Sequence, residues 1–241
     1  MPLFSHRRMT LPLGDFASYT SGMAYVDAHP GWADISLNME TGHVFVQEDW
    51  HYNWIADASL SPWNLAEKRS FHHQVDRQIW SVWSSGRYHV RVRGTNPFAR
   101  RFPHGLPTTE FDIRWVTTGG HWQVTARKMA SGTTRSWPAD YSQVDFAGKR
   151  VTLVTADFTA ARGAANSAGQ SRGNFPVGAH EFGHTNPDSS GSANADEYNA
   201  GASNLGDTDS LMNIGRQVRT RHLAGLLTEL NRMVPGASFY V

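Results

Sequence analysis

The chain has 241 residues, with 22 Lys and Arg against 21 Asp and Glu, twelve His and no Cys. That length can bury a sizeable core in one large domain or two small ones, and a net charge of +1 gives no electrostatic footprint for nucleic acid or an anionic membrane surface. Without Cys, disulfide scaffolds, thiolate zinc sites, iron–sulfur clusters and thiol catalysis are excluded, so any bound metal must rest on His and carboxylates.

Residues 1–16 (MPLFSHRRMTLPLGDF) lack the apolar run of a classical secretory signal, and no stretch approaches the roughly 18–20 apolar residues of a membrane span. The expectation is a chain exported or delivered by a signal-less route, or otherwise cytoplasmic. Ile35, Leu37 and Met39 alternate with polar residues, a turn follows at 40–42, and Val44 and Val46 resume the alternation, which predicts a hairpin. Ser61-Pro62 carries a helix-start signal, and Phe71, Val75, Ile79 and Val82/Trp83 place one apolar face on a helix of about twenty residues ending at Gly86. Tyr88, Val90 and Val92, then Phe111, Ile113 and Trp115, then Trp122, Val124 and Ala126 alternate as strands, with Gly119-Gly120 as a turn. Residues 151–155 form a short, buried strand. Residues 159–173 and 186–209 read as Gly- and Ser-rich loops on either side of a short helix within 174–185. A last helix, capped by Thr220, carries Leu223, Leu226, Leu227, Leu230 and Met233 on one face and stops at Pro235-Gly236.

The short helix contains His180-Glu181-Phe182-Gly183-His184, an H-E-x-x-H motif. Residues i and i+4 lie one above the other on a helix, so two imidazoles can grip one zinc ion, and the intervening Glu can take a proton from water that the metal activates. A chain with twelve His and seven Glu meets this pattern by chance about 0.02 times. Gly183 keeps one side of the helix slim, allowing close approach by a neighbour. A catalytic zinc usually keeps three protein ligands; Asp188, Asp196 and Glu197 follow in the next loop as candidates, since Pro187 and Ser190 occupy the positions where a Gly and a third ligand would fall in the metzincin spacing.

HEFGH followed by Asp196-Glu197-Tyr198 resembles metzincin-type zinc peptidases whose third ligand is Asp, as in snapalysin-like enzymes. The resemblance implies Asp196 as third ligand, reached through an insertion of about six residues. Ser210-Leu211-Met212-Asn213 is similar to the family's Met-turn, which implies Met212 as an apolar floor under the metal rather than a ligand. Residues 218–222 are similar to peptidase modules of bacterial contractile-secretion effectors. Together these imply an α+β, zincin- or metzincin-like fold: a twisted, mostly antiparallel or mixed sheet, a long helix in the first half, the H-E-x-x-H helix and a C-terminal helix. Residues 61–241 would form the peptidase domain, with residues 1–60 a strand-rich extension packed on the same domain, so that the chain is a single domain overall.

The implied function is a Zn²⁺-dependent endopeptidase acting on a peptide or protein substrate, with Glu181 as general base and then acid. Tyr198 and His222 are candidates for oxyanion or substrate contact, and Arg216, Arg219 and Arg221 for a substrate carboxylate. A bacterial effector or toxin role would add a secretion-apparatus or inhibitor/immunity partner. Two other readings are an amidase on cell-wall peptides and a non-catalytic, zinc-stabilised interaction module; a structural site would be closed by four protein ligands. His72-His73 cannot share one metal face and reads as solvated helix surface.

Overall fold

The computed structural model describes residues 25–84, 88–130, 134–136, 140–158 and 164–241. Gly86, residues 1–16 and the start of the first Gly-rich loop lie outside the described residues.

The described residues begin with three strands: β1 (Tyr25–Ala28), β2 (Asp34–Asn38) and β3 (Val44–Ala56). β2 and β3 form the expected antiparallel hairpin, with Leu37 opposite Val44. β3 runs on for 13 residues, because Trp50 and Tyr52 continue the apolar alternation begun by Val44 and Val46.

Helix α1 (Leu65–Trp83) starts later than Ser61-Pro62 suggests. Asn64 is the N-cap. Its side chain accepts from Glu67 N at 2.9 Å, and the Glu67 carboxylate accepts from Asn64 N at 2.9 Å. Ser61 has Asn64 three residues on and so no carboxylate to close such a capping box, whereas Asn64 has Glu67. The predicted apolar face is buried as expected. His72 is buried with it, its Nδ1 3.1 Å from the Tyr52 hydroxyl, so half of the pair read as solvated is a core residue; His73 is exposed.

β4 (Arg91–Gly94), α2 (Pro97–Arg101), β5 (Thr109–Val116) and β6 (Trp122–Lys128) follow. β5 and β6 are not a hairpin around Gly119-Gly120. Both run parallel to β3, β5 along residues 44–51 and β6 along 50–56. Trp50 pairs with Trp115 on one edge and Trp122 on the other, so the connection 117–121 carries the chain across β3. It is fastened there by His121 N donating to Asp49 O at 2.8 Å and Asp49 N donating to His121 Nδ1 at 2.8 Å. Gly120, at φ 103°, lies where a Cβ would meet Asp49 O at 2.9 Å. A crossing this tight needs a residue without a side chain and free to take positive φ.

β7 (Gln143–Asp145) pairs antiparallel with β8 (Arg150–Val154), which leads into a 3-10 turn at Thr155–Phe158. β8 runs parallel to β6. The result is a seven-stranded mixed sheet in the order β1-β2-β3-β6-β8-β7, with β5 on the far edge of β3. β9 (Ala164–Ala165) and β10 (Ser171–Arg172) make a small hairpin inside the stretch read as a loop. The Asn166 side chain orders its turn by accepting from Ala168 N and Gln170 N.

Helix α3 (Val177–Thr185) is the H-E-x-x-H helix. At the C-terminus Thr220 does not cap a helix. Residues Thr220–Leu223 form a 3-10 turn in which His222 Nδ1 accepts from Arg219 N at 3.1 Å. Helix α4 (Ala224–Met233) then begins, burying Leu226, Leu230 and Met233. Pro235-Gly236 ends it, and β11 (Ala237–Tyr240), absent from the sequence reading, pairs antiparallel with β4.

The architecture is thus α+β, with α1 and α3 packed on one face of the sheet. Trp83 Nε1 donates to Ala179 O at 2.8 Å, joining the two helices. Phe111 from β5 packs against both Trp83 and Phe182. Among the described residues no helix is long and apolar enough to cross a membrane.

Candidate metal centre

α3 is buried along nearly its whole length, His180 and Glu181 included. His180 and His184, one turn apart, turn their Nε2 atoms to within 3.3 Å of each other. Asp196 Oδ1 completes a triangle, 3.2 Å from His180 Nε2 and 3.1 Å from His184 Nε2. These three residues are a group that could hold a metal ion. Nitrogen and oxygen ligands about 2.0–2.1 Å from a tetrahedral zinc stand about 3.3 Å apart, so the three donor separations fit such an ion.

The outer nitrogens fix the tautomers. His180 Nδ1 is 2.8 Å from Leu211 O and His184 Nδ1 is 2.6 Å from Asn194 O. A carbonyl only accepts, so each Nδ1 carries a proton, and in the neutral rings both Nε2 lone pairs face the Asp196 carboxylate. Three acceptors aimed at one point repel unless a positive charge lies among them. The pKa values carry the same message. Burial works to lower that of His184, but the Asp196 hydrogen bond and charge, with Glu181 beside them, raise it to about 9. Burial works to raise Asp196, yet the two imidazoles hold its carboxyl far below the ordinary range. Either protons or a cation supply the charge. The backbone carbonyls on the far nitrogens are the outer partners that metal-binding histidines usually have.

The segment 210–213 supports this arrangement from below. Leu211 gives the carbonyl that orients His180, and Met212 O accepts from Glu197 N at 2.8 Å, next to Asp196. Met212 is fully buried, and a Cβ on Gly183 would stand 2.3 Å from its Sδ. The slim side of the helix therefore accommodates the Met212 side chain and the Trp83 ring. The Asn194 side-chain amide, with two protons, shares them among Gly183 O, Asn186 O and His222 O at 3.0–3.2 Å, and this stitches the end of α3 to the loop that delivers Asp196.

Glu181 and His180 open onto one cavity of about 270 Å³. Its walls include Tyr198, Phe175 and Ile214, and Tyr141-Ser142 just before β7. Tyr198 stands close to the cluster, its ring centroid 5.8 Å from that of His180. The Ser142 and Asp157 wall is fixed by Ser142 N and Arg135 Nη2, which each donate to Asp157 at 2.8 Å.

Other sequence candidates lie outside this group. Glu197 turns to Arg221, with nitrogen–oxygen distances of 2.6 and 2.8 Å, and to His222 Nε2 at 3.2 Å. Burial works to raise its pKa, but these partners hold it at about 2. His222 is buried with Glu197 and Ser210, and burial lowers its pKa. Asp188 accepts from Ser190 N and Ser192 N within its own turn. Arg219 and Arg221 are paired with Asp207 and Glu197, and Arg216 donates to Asn174 O. Sequence reasoning missed Asn194 and the carbonyls of Leu211 and Asn194, because backbone acceptors leave no trace in residue type. Compared with models of protein families, with curated proteins and with solved structures, the chain matches none.

Proposed function

We propose that this chain is a zinc-dependent peptidase of metzincin-like organisation that hydrolyses a peptide or protein substrate. The observation that carries the proposal is the triangle of His180, His184 and Asp196 with both imidazoles locked on backbone carbonyls, and Glu181 lining one cavity together with His180. The group has three protein donors among the described residues, and Glu197 and Asp188 are engaged elsewhere. A structural zinc site would call for a fourth. Met212 beneath α3 supports the metzincin comparison.

His180, His184 and Asp196 would hold the ion. A bound zinc ion supplies Lewis-acid polarisation of the scissile carbonyl and makes water more acidic. Glu181 accepts the proton of the attacking water as the new carbon–oxygen bond forms. It then delivers that proton to the peptide nitrogen as the carbon–nitrogen bond breaks. Tyr198, at the cavity wall, donates from its phenol to the charge developing on the carbonyl oxygen. β7 is an edge strand among the described residues and leads directly from the cavity wall, which favours an extended peptide paired along it. Delivery as a bacterial effector or toxin belongs to the same proposal and rests on the resemblance of residues 218–222.

Elemental analysis of the purified chain should find about one zinc per molecule, lost in a His180→Ala/His184→Ala variant. Glu181→Gln should keep the metal and the fold while hydrolysis, followed by cleavage profiling of a proteome, falls by about 10²–10⁴-fold. Full zinc in the double His variant, or unchanged cleavage by Glu181→Gln, would overturn the proposal.

A further inference from the structure

Glu48 lies in the middle of β3, fully buried, on the face that packs against α3. The site chemistry proposed above does not use it. Its Oε2 accepts from Trp50 Nε1 at 2.7 Å. Its Oε1 is 2.6 Å from Thr185 Oγ1, and the same Thr185 hydroxyl is 2.7 Å from Phe182 O. Thr185 is the last residue of α3 and directly follows His184.

One hydroxyl has one proton, and here it faces two oxygens at hydrogen-bond distance. The Phe182 carbonyl can only accept. If Glu48 is a carboxylate, Thr185 can satisfy one of the two and leaves the other facing a lone pair in a dry interior. If Glu48 carries a proton on Oε1, every group is served. Glu48 donates to Thr185, Thr185 donates to Phe182 O, and the indole of Trp50 donates to Glu48 Oε2. We infer that Glu48 is a positioning residue for the metal helix: as a neutral carboxylic acid on the central strand it donates to Thr185 and so fixes the turn that carries His184. This rests on the metal-site reading above.

The surroundings agree. Burial raises the Glu48 pKa from 4.5 to about 8, against the opposing effects of the Thr185 and Trp50 hydrogen bonds. Among the described residues, the charge acting on it is the Lys149 ammonium, which itself lies over the Trp122 and Phe146 rings. Lys149 favours the carboxylate, but burial outweighs it. The link to His184 runs through covalent neighbours, so the relay sets the imidazole's position without touching the metal. Partners bonded directly to a ligating side chain typically contribute about 10–100-fold to metal affinity, and a relay one residue further out belongs at the low end of that range.

The test uses the full chain, metal-free and with zinc ions alone as probe, in wild type, Glu48→Gln, Glu48→Leu, Thr185→Val and Thr185→Ser. Gln can still donate to Thr185 and accept from Trp50, so Glu48→Gln should hold zinc within about threefold of wild type in chelator competition, as should Thr185→Ser. Glu48→Leu and Thr185→Val should bind about tenfold more weakly. Infrared difference spectra of wild type against Glu48→Gln at neutral pH should contain the carbonyl band of a protonated, buried acid. A raised folded pKa means that wild type is best off below pH 4.5 and loses stability relative to Glu48→Gln as pH climbs to about 8; thermal unfolding of the metal-free chains reads this directly. Zinc affinity left intact in both Glu48→Leu and Thr185→Val overturns the positioning role alone. Absence of the protonated-acid band, or Glu48→Gln behaving as Glu48→Leu does, overturns the neutral donor. Failure of wild type itself to bind zinc overturns the metal reading and the positioning role with it, while the infrared band and the pH dependence still decide the protonation of Glu48.

Discussion

At the scale of single residues, the site depends on where two neighbouring carboxylates point. Asp196 faces two imidazoles and Glu197 faces Arg221 and His222, so their substitutions separate. Asp196→Asn should abolish tight zinc binding, and Glu197→Gln should leave it within about threefold, measured by chelator competition. Glu197→Gln should instead alter acid stability. The Glu197 pKa is depressed from 4.5 to about 2, so its contribution is present above pH 4.5 and is lost as pH falls through about 2. Acid unfolding of wild type in that window should be flatter in the variant. Gly183 gives a second test. A methyl there would collide with Met212 Sδ, so Gly183→Ala should cost about 1–3 kcal/mol in thermal denaturation. Pairing it with Met212→Ala should give less than the sum of the two losses, as contacting residues do. That His180 and His184 face one another was legible because the helical repeat alone dictates it. The choice among Asp188, Asp196 and Glu197 was not, because it turns on Ser190 and Ser192 amides holding one carboxylate and on Arg221 holding another.

At the scale of elements, helices and hairpin strands with strong local patterns were readable, and elements made by distant partners were not. α1 shows both sides. Its apolar face followed from spacing, while its start was set by Asn64 and Glu67, a capping box that stands in the sequence as N-L-A-E behind the more conspicuous Ser61-Pro62. β11 has four residues and no strong alternation; it exists because β4 offers an edge 143 to 149 residues earlier in the chain. Phe239 is the anchor of that pairing, buried near Phe98. Phe239→Ala should cost about 3–5 kcal/mol in denaturant unfolding while leaving zinc stoichiometry unchanged in whatever fraction stays folded. The alternation of β5 and β6 was legible, but that both lie alongside β3 was not, since period-2 patterning says which residues share a face and nothing of which strand is the neighbour.

At the scale of the molecule, β3 holds the sheet together. β5 covers one of its edges, and β2 and β6 share the other end to end. From the same strand Glu48 reaches the end of α3. A chain beginning at residue 61 would lose β1, β2 and β3 together, leaving β5 and β6 with no common neighbour. Such a truncation should be recovered as insoluble or protease-sensitive material rather than as a folded core, read by limited proteolysis against the full chain. The α+β character of the molecule was legible in the sequence. The order of its strands was not, because the crossing at 117–121 depends on a glycine and a histidine gripping the backbone of Asp49.

That crossing also sets a timetable. β3 is complete at residue 56, but its parallel partners close their registers only at residues 116 and 128. During synthesis β3 has β2 beside it at once, but it must wait until residue 128 has emerged before both parallel neighbours exist. Pairings so distant in sequence are slow to form and expose unpaired edges meanwhile. Until Lys128 has been made, the stretch of the β3 edge that pairs with β6 stands open to unwanted pairing, and yield on expression should depend on how long that interval lasts.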